Sequence, residues 1–99
     1  MCSNATAAFA CLHLAGLKAG KDREDLIRQA RRIMDWTGQH LQDGDKLYMD
    51  YVDPATGQVH RHKWTYNTAM MIRCHLRMHS LTGSAAGMAR LFWLLASPA

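Results

Sequence analysis

The sequence predicts an all-α chain of helical hairpins with one short β-like excursion. Three observations support this fold class. Apolar residues recur every three to four positions through four segments, as they do on the buried face of a helix. Short turns containing glycine separate the segments of each pair, which makes the two helices antiparallel neighbours. Between the second and third segments, residues 47–62 combine turn signals with the alternating pattern of short strands.

The size and composition of the chain fit one modest core. The 99 residues are 48% hydrophobic and 20% charged, which is ordinary for a globular sequence. We therefore expect a single piece over residues 1–99. Its first hairpin should cover about 3–41 and its second about 66–96, with a connecting loop over 42–65.

The first hairpin is predicted from two apolar stripes. The first helix should cover about residues 3–19, with Asn4 or the serine before it as cap, and should end at Gly20. Asp22 should cap a second helix over about 23–41. The residues expected on the buried faces are Ala7, Ala8, Cys11, Leu12, Ala15, Leu26, Ala30, Ile33, Met34, Thr37 and Leu41.

The connecting loop is predicted to hold a small ribbon. Asp43-Gly44-Asp45 reads as a turn, and Asp53 to Gly57 contains a second turn around a proline. The segments on either side of that second turn, Tyr48–Val52 and Gln58–His62, should pair as two short strands.

The second hairpin begins with a helix over about Tyr66–Leu81, which Gly83 should end. A fourth helix should start near Ala85 and carry a short apolar stripe. The residues of the third helix expected to be buried are Met70, Met71, Cys74, Met78 and Leu81.

The charge distribution and the short apolar stretches of the sequence indicate neither a nucleic-acid partner nor a membrane partner. The formal charge is +4, but basic and acidic residues are interleaved, so we expect no nucleic-acid partner. No basic residue precedes the apolar run at the N-terminus, so no signal peptide is recognised and a cytoplasmic location is the default. The apolar stretch 91–96 is far below the ~20 residues of a membrane span, so we expect no membrane partner.

No metal site or cofactor is expected either. The three cysteines are an odd number without CxxC spacing, which predicts free thiols. His75 and His79 are four residues apart on a predicted helix, but Leu76 stands where the HExxH motif has its glutamate. Asp43 and Asp45 lack the remaining ligands of a calcium loop, so we interpret them as a turn.

The most informative residues are polar and aromatic side chains of the connecting loop and the start of the third helix. They are Tyr48, Asp50, Tyr51, Trp64, Tyr66 and Asn67. One interpretation is that Trp64 and Tyr66 only anchor the loop on the helices. The other is a saccharide-binding surface, in which aromatic rings stack on sugar faces while Asp50 and Asn67 hydrogen-bond vicinal hydroxyls.

A family resemblance favours the second interpretation. The segments that carry it are Asn4-Ala5, ARRIMDW at 30–36, Leu47-Tyr48-Met49-Asp50, Lys63-Trp64-Thr65-Tyr66-Asn67 and Leu81-Thr82-Gly83. In order and approximate spacing, these segments resemble glycoside hydrolase family 76, the α-1,6-mannanases and their relatives. The match covers about residues 2–83. Its most specific part is Trp-Thr-Tyr-Asn before a helix that closes in Leu-Thr-Gly.

The resemblance implies an (α/α)6 toroid of six helical hairpins that hydrolyses α-mannan with retention of configuration. Such chemistry uses two carboxylates ~5 Å apart, one as nucleophile and one as acid/base. In the family these are an adjacent Asp-Asp pair that precedes the matched part, and this chain contains no such pair. We therefore expect no catalytic residue in this chain. We also expect the chain to form about two of the six hairpins of the toroid, as a truncated reading frame would encode.

The resemblance also assigns the substrate-facing residues. Asn4, Asp50, Tyr66 and Asn67 match positions expected to line or support the cleft, and Trp64 completes the predicted substrate-binding set. We thus expect the chain to be a segment of a glycoside hydrolase that acts on α-mannan-type polysaccharide. The segment should contribute residues that contact the carbohydrate and should be inactive alone. The alternative is a small helical module whose exposed apolar faces self-associate or bind a partner helix.

Overall fold

A computed structural model describes residues 2–83 of the chain. These residues form three α-helices and one two-stranded ribbon. In chain order the elements are α1 (Cys2–Ala15), α2 (Gly20–Leu41), β1 (Tyr51–Val52), β2 (Val59–His60) and α3 (Thr65–Thr82). The predicted all-α class with a short β excursion is confirmed. The predicted fourth helix lies outside the described residues.

Helix α1 packs against both α2 and α3. At one end of the bundle, the Asn4 amide donates a hydrogen bond of 3.2 Å to Thr37 Oγ1, which joins the start of α1 to the end of α2. Thr37 in turn donates to the carbonyl of Ile33 at 2.7 Å. Since the start of α1 meets the end of α2, the two helices are antiparallel, as the short connection predicts.

The connection between α1 and α2 differs from the prediction. Helix α1 ends at Ala15 rather than near residue 19, because the next amides turn back onto the last carbonyls of the helix. Gly20, predicted to end α1, instead begins α2 with φ 62°, in the left-handed region that glycine adopts without strain. Asp22 lies in the first turn of α2, where its charge complements the helix dipole, and is not the cap.

The core follows the predicted stripes closely. Its buried side chains from α1 and α2 are Ala5, Ala8, Leu12, Ala15, Ala30, Met34, Thr37 and Leu41. Only Ala5 was missing from the expected set, while Ala7 is exposed and Cys11, Leu26 and Ile33 are half-buried. The small residues of α1 allow the neighbouring helices to approach closely.

The ribbon is shorter than predicted. Tyr51 pairs with His60, and Val52 with Val59, in an antiparallel register. The expected strand from Tyr48 is wrong, since Tyr48 and Met49 are both buried and do not alternate between two faces. Their backbone is used elsewhere: the Met49 amide donates to the Leu41 carbonyl at 2.7 Å, and the Tyr48 amide to Thr68 Oγ1 at 3.4 Å.

Helix α3 agrees with its prediction within one residue at each end. Gly83 follows it with φ 64°, and the Gly83 amide donates to the His79 carbonyl at 2.7 Å, a left-handed C-cap. Arg23 Nη2 donates to the Leu81 carbonyl at 2.9 Å, so the start of α2 lies beside the end of α3. The buried stripe is Asn67, Met71, Cys74 and Met78, while Met70 and Leu81 are half-buried.

Cys74 shows how closely α1 and α3 approach. Its thiol donates to the Ala5 carbonyl at 3.4 Å, and burial raises the pKa of this thiol to about 11. Cys11 and Cys74 are both free, as the cysteine spacing predicts. The Arg73 guanidinium stacks 4.3 Å above the Phe9 ring on the same interface.

Leu12 provides a direct test of this core. Leu12 is fully buried, so Leu12→Ala should lower the free energy of unfolding by about 2–5 kcal/mol, through lost transfer energy and a residual cavity. Leu14→Ala is the matched control, because Leu14 on the same helix is half-exposed and should cost well under half as much. Urea unfolding followed by circular dichroism measures both. Equal losses for the two variants would contradict the packing described for α1.

Candidate functional site

The predicted site residues lie on elements that meet at one end of the bundle. Three contacts fix this arrangement. Asn4 bonds the end of α2 as described, and Met49 bonds Leu41, the last residue of α2. The Tyr48 amide bonds Thr68 in the first turn of α3. The start of α1, the end of α2, the start of the excursion and the start of α3 are thereby held together.

Aromatic rings line the outer side of this end. His60, His62, Trp64 and Tyr66 alternate along the chain, and in the extended part of the segment such alternation places side chains on one side. The His62 and Trp64 ring centroids are 4.0 Å apart, and those of Trp64 and Tyr66 are 6.3 Å apart with 22° between their planes. We call His62, Trp64 and Tyr66 the aromatic row. On the ribbon, Tyr51 stacks on His60 at 4.1 Å.

The rings of the aromatic row remain accessible. Trp64 is 45% exposed and Tyr66 46% exposed, although Trp64 precedes the first turn of α3 and Tyr66 lies within it. Trp64 is the N-cap residue, and its carbonyl accepts the Asn67 amide at 3.0 Å. A ring that only anchored the loop would be sealed against the helices. Here a large part of each ring is left for contact with another molecule.

Asn67 lies beneath this surface. Its side chain is 0% exposed, and neither its amide nitrogen nor its carbonyl oxygen has a hydrogen-bond partner within residues 2–83. Leaving a buried amide unpaired costs about 1–3 kcal/mol. In this conformation the Asn67 side chain is buried and does not reach solvent.

The two remaining predicted residues are only half-buried. Asn4 uses its amide nitrogen on Thr37, so it joins helices as well as lying at the site end. Asp50 precedes β1, and its backbone amide donates to the His60 carbonyl at 3.0 Å. This bond places the Asp50 carboxylate beside the ribbon that carries the stacked Tyr51 and His60.

A groove opens beside Trp64. Its volume is about 260 Å³, and apolar atoms form most of its surface. Its lining residues are Leu47, Lys63, Trp64, Thr65, Thr68, Ala69 and Ile72. We call it the Trp64 groove. One side comes from the excursion through Leu47, and the other from α3 and the residues just before it.

Lys63 links the two sides of the groove. Its ammonium lies 2.7 Å from Asp43 Oδ2 and 2.7 Å from Asp45 Oδ2. Hydrogen bonds from Lys63 lower the pKa of both carboxyls below the ordinary 3.8. The backbone amide of Gly44 lowers the pKa of Asp43 further, and that of Leu47 does the same for Asp45. The two carboxylates in turn raise the pKa of Lys63 above the ordinary 10.5. The turn is evident from the sequence, but its contact with Lys63 is not, because nothing in the spacing joins residues eighteen apart.

This end presents aromatic rings, the Asp50 carboxylate and the half-buried Asn4 side chain, groups of the kind that suit a polyhydroxylated ligand, whereas the Asn67 amide does not reach solvent. Residues 2–83 contain no group of three histidine, cysteine or acidic side chains placed to hold a metal ion. Within the same residues, no helix combines the length and apolar character of a bilayer span.

Binding residues are concentrated on loops that a rigid scaffold positions, and here the helices hold a loop rich in aromatic and polar side chains at one end.

Comparison with known proteins gives the family. The sequence profile of Glycosyl hydrolase family 76 matches residues 1–97, and the chain belongs to this family. The resemblance seen in the sequence is thereby confirmed.

A solved structure supports the same assignment. The chain superposes on a GH76 α-mannanase from Bacteroides thetaiotaomicron with a TM-score of 0.82 and 33% sequence identity. The match covers 95% of this chain and 26% of that one, so the chain spans about a quarter of the length of that mannanase. No curated protein matches the chain.

The Lys63 ion pairs predict a pH dependence of stability. The pKa values of Asp43 and Asp45 are lowered by folding, so their contribution is present above the unfolded value near 3.8 and is lost as the pH falls through the lowered values. Lys63→Met should flatten this part of the acid profile, while Lys18→Met should not. Urea unfolding between about pH 5 and about pH 2.5 measures it. Identical profiles for wild type and Lys63→Met would contradict the ion pairs.

Asn67 predicts a gain in stability. Asn67→Leu replaces an unpaired buried amide by an apolar group of similar size, so the free energy of unfolding should rise by about 1 kcal/mol or more. Asn4→Leu is the matched control, and it should lower stability, because it removes the bond to Thr37. Thermal and urea unfolding of the two variants measure the difference. A loss at Asn67 as large as that at Asn4 would show that the Asn67 amide is satisfied.

Proposed function

We propose that this chain forms part of the saccharide-facing wall of a glycoside hydrolase that acts on α-mannan-type polysaccharide. The wall comprises Asn4, Asp50, Trp64, Tyr66 and Asn67. Trp64 and Tyr66 present ring faces to sugar rings, Asp50 accepts hydrogen bonds from hydroxyls, and Asn4 and Asn67 support the wall. Carbohydrate is thus the partner, and no cofactor takes part.

One observation carries this proposal: Trp64 and Tyr66 are nearly half exposed and adjoin one another at the end of the bundle, in a chain that belongs to a glycosyl hydrolase family. Exposed aromatic rings lose hydrophobic stabilisation unless a ligand or partner covers them. The unpaired amide of Asn67, the residue that follows Tyr66, adds a second energetic cost in the same segment. Such costs concentrated at one surface are typical of binding sites, where stability is traded for function.

The catalytic step requires groups from elsewhere. Retaining glycosidases use two carboxyl groups ~5 Å apart, and this sequence has no adjacent Asp-Asp pair. We propose that the chain represents about two of the six hairpins of a toroid, residues 3–41 and 66–96 joined by 42–65. The share of the mannanase that it covers, 26%, supports a partial toroid. By itself the chain should bind saccharide without cleaving it.

Binding to a linear α-1,6-mannooligosaccharide tests the proposal. Trp64→Ala and Tyr66→Ala should each raise the Kd about tenfold, because each removes a stacking face. Trp36→Ala is the matched control, since Trp36 is 42% exposed on α2 and lies outside the aromatic row. Isothermal titration calorimetry with the 99-residue chain gives the constants. Equal effects at all three positions, or no binding by wild type, would contradict the proposed wall.

An activity assay tests the missing carboxylates. The chain alone should release no reducing sugar from α-mannan. Hydrolysis that Asp50→Asn abolishes would show instead that Asp50 is catalytic, and the account of the missing pair would then be wrong.

A second candidate function is self-association or capture of a partner helix. The observation that favours it is exposed apolar surface along α3, where Leu76 is half-exposed and Ile72 lines the Trp64 groove. Sedimentation at several concentrations separates the two candidates. A monomer that binds saccharide supports the first, whereas a dimer that binds none supports the second.

A further inference from the structure

The Trp64 groove is built from two segments that are distant in sequence. Leu47 closes one side and belongs to the turn over residues 43–47, while Trp64 and Ile72 form the other. We call these the Leu47 side and the Trp64 side. The width of the groove depends on how firmly the two sides are held together.

The Leu47 side is rigid within itself. The Asp43 amide donates to the Leu47 carbonyl at 2.9 Å, and the Lys46 amide donates to the Asp43 carbonyl at 2.9 Å. The Leu47 amide donates to Asp45 Oδ1 at 3.0 Å. Both carboxylates of this turn therefore move with Leu47 as one unit.

Lys63 connects this unit to the Trp64 side. Its ammonium contacts one oxygen of each carboxylate at 2.7 Å, and its side chain also lines the groove. Trp64 follows directly in the chain, so the position of Lys63 restricts the backbone from which the Trp64 ring projects. Trp64 is also the N-cap residue of α3.

We propose that Lys63 is a positioning residue, which holds the Leu47 side against the Trp64 side and thereby fixes the Trp64 ring for saccharide stacking. This inference rests on the proposed function. Exposed ion pairs add little to global stability, since solvent screens them and side-chain ordering opposes them. Pre-organisation of a stacking ring, in contrast, acts directly on affinity. The role of Lys63 should therefore appear in binding and in the environment of Trp64 far more than in unfolding.

A ligand-free experiment reads the position of Trp64. In a Trp36→Phe/Trp93→Phe background, Trp64 is the remaining tryptophan, and acrylamide quenching reports its exposure. Lys63→Met keeps the length of the side chain but removes its charge, so it should increase quenching. Lys63→Arg should restore the wild-type value, and Lys18→Met, on the turn between α1 and α2, should leave it unchanged. Unchanged quenching in Lys63→Met overturns the inference.

Binding of a linear α-1,6-mannooligosaccharide gives the functional readout. Lys63→Met should raise the Kd about threefold to tenfold, and Lys63→Arg should return it to within about twofold of wild type. Asp43→Asn/Asp45→Asn should match the effect of Lys63→Met and add nothing to it when combined, as expected for groups acting as one unit. Additive effects, or a Lys63→Met variant that binds like wild type, overturn the inference.

The two experiments separate the failure of this inference from the failure of the proposed function. If wild type binds and Lys63→Met alters neither quenching nor affinity, the proposed function stands and the role of Lys63 is rejected. If wild type does not bind saccharide while Lys63→Met increases quenching, Lys63 positions the Trp64 ring, but this positioning does not serve saccharide binding. Both proposals then fail.

Discussion

The close approach of α1 to α3 is the contact on which the rest of the structure depends. It is possible because α1 presents Ala5 and Ala8 at its buried face, so that the Cys74 thiol reaches the Ala5 carbonyl at 3.4 Å. Larger side chains at these alanines would separate the helices and break that bond. With α1 packed on both neighbours, α2 and α3 are held in place largely through it, aided by Arg23 at the far end.

The site follows from this packing. Because α2 runs antiparallel to both α1 and α3, the start of α1, the end of α2 and the start of α3 lie at the same end of the bundle. The chain between α2 and α3 begins and ends there, and the bonds of Met49 to Leu41 and of Tyr48 to Thr68 hold its first part against the same end. The chain belongs to glycosyl hydrolase family 76, and the profile of that family matches residues 1–97, so the match includes all the segments that meet at this end.

The sequence predicted helices well where local signals agreed. The stripe of α2 and the left-handed cap at Gly83 each follow from residue type and spacing alone. The predicted length of α1 exceeds the observed length, because no local feature of the sequence distinguishes a helix that ends at Ala15 from one that continues to a later glycine. A glycine adopts a positive φ equally well after one helix or at the start of the next, so the presence of Gly20 did not show to which helix it belongs.

The candidate site was predicted in part. The residue types of Trp64 and Tyr66, aromatic and beside polar neighbours, are the sequence signal for a binding surface, whereas the accessibility of both residues is evident only from the structure. The burial of Asn67 and the link through Lys63 are set by tertiary contacts, and residues eighteen apart in a loop have no periodicity that could reveal them. Tyr48 and Met49 were assigned to a strand because alternation is a local pattern, whereas their burial depends on where α2 ends and α3 begins.

The small ribbon has a practical consequence for studying this protein. A pair of two-residue strands is too short to be stable alone, so stacking of Tyr51 on His60 and the bonds around its turn help to maintain it. The tip of that turn, residues 54–56, is exposed. A cysteine introduced at the tip, with Cys2 and Cys11 replaced and the buried Cys74 kept, would accept a fluorophore or spin label close to the candidate surface yet outside it, and would give an optical or magnetic signal without occupying the groove.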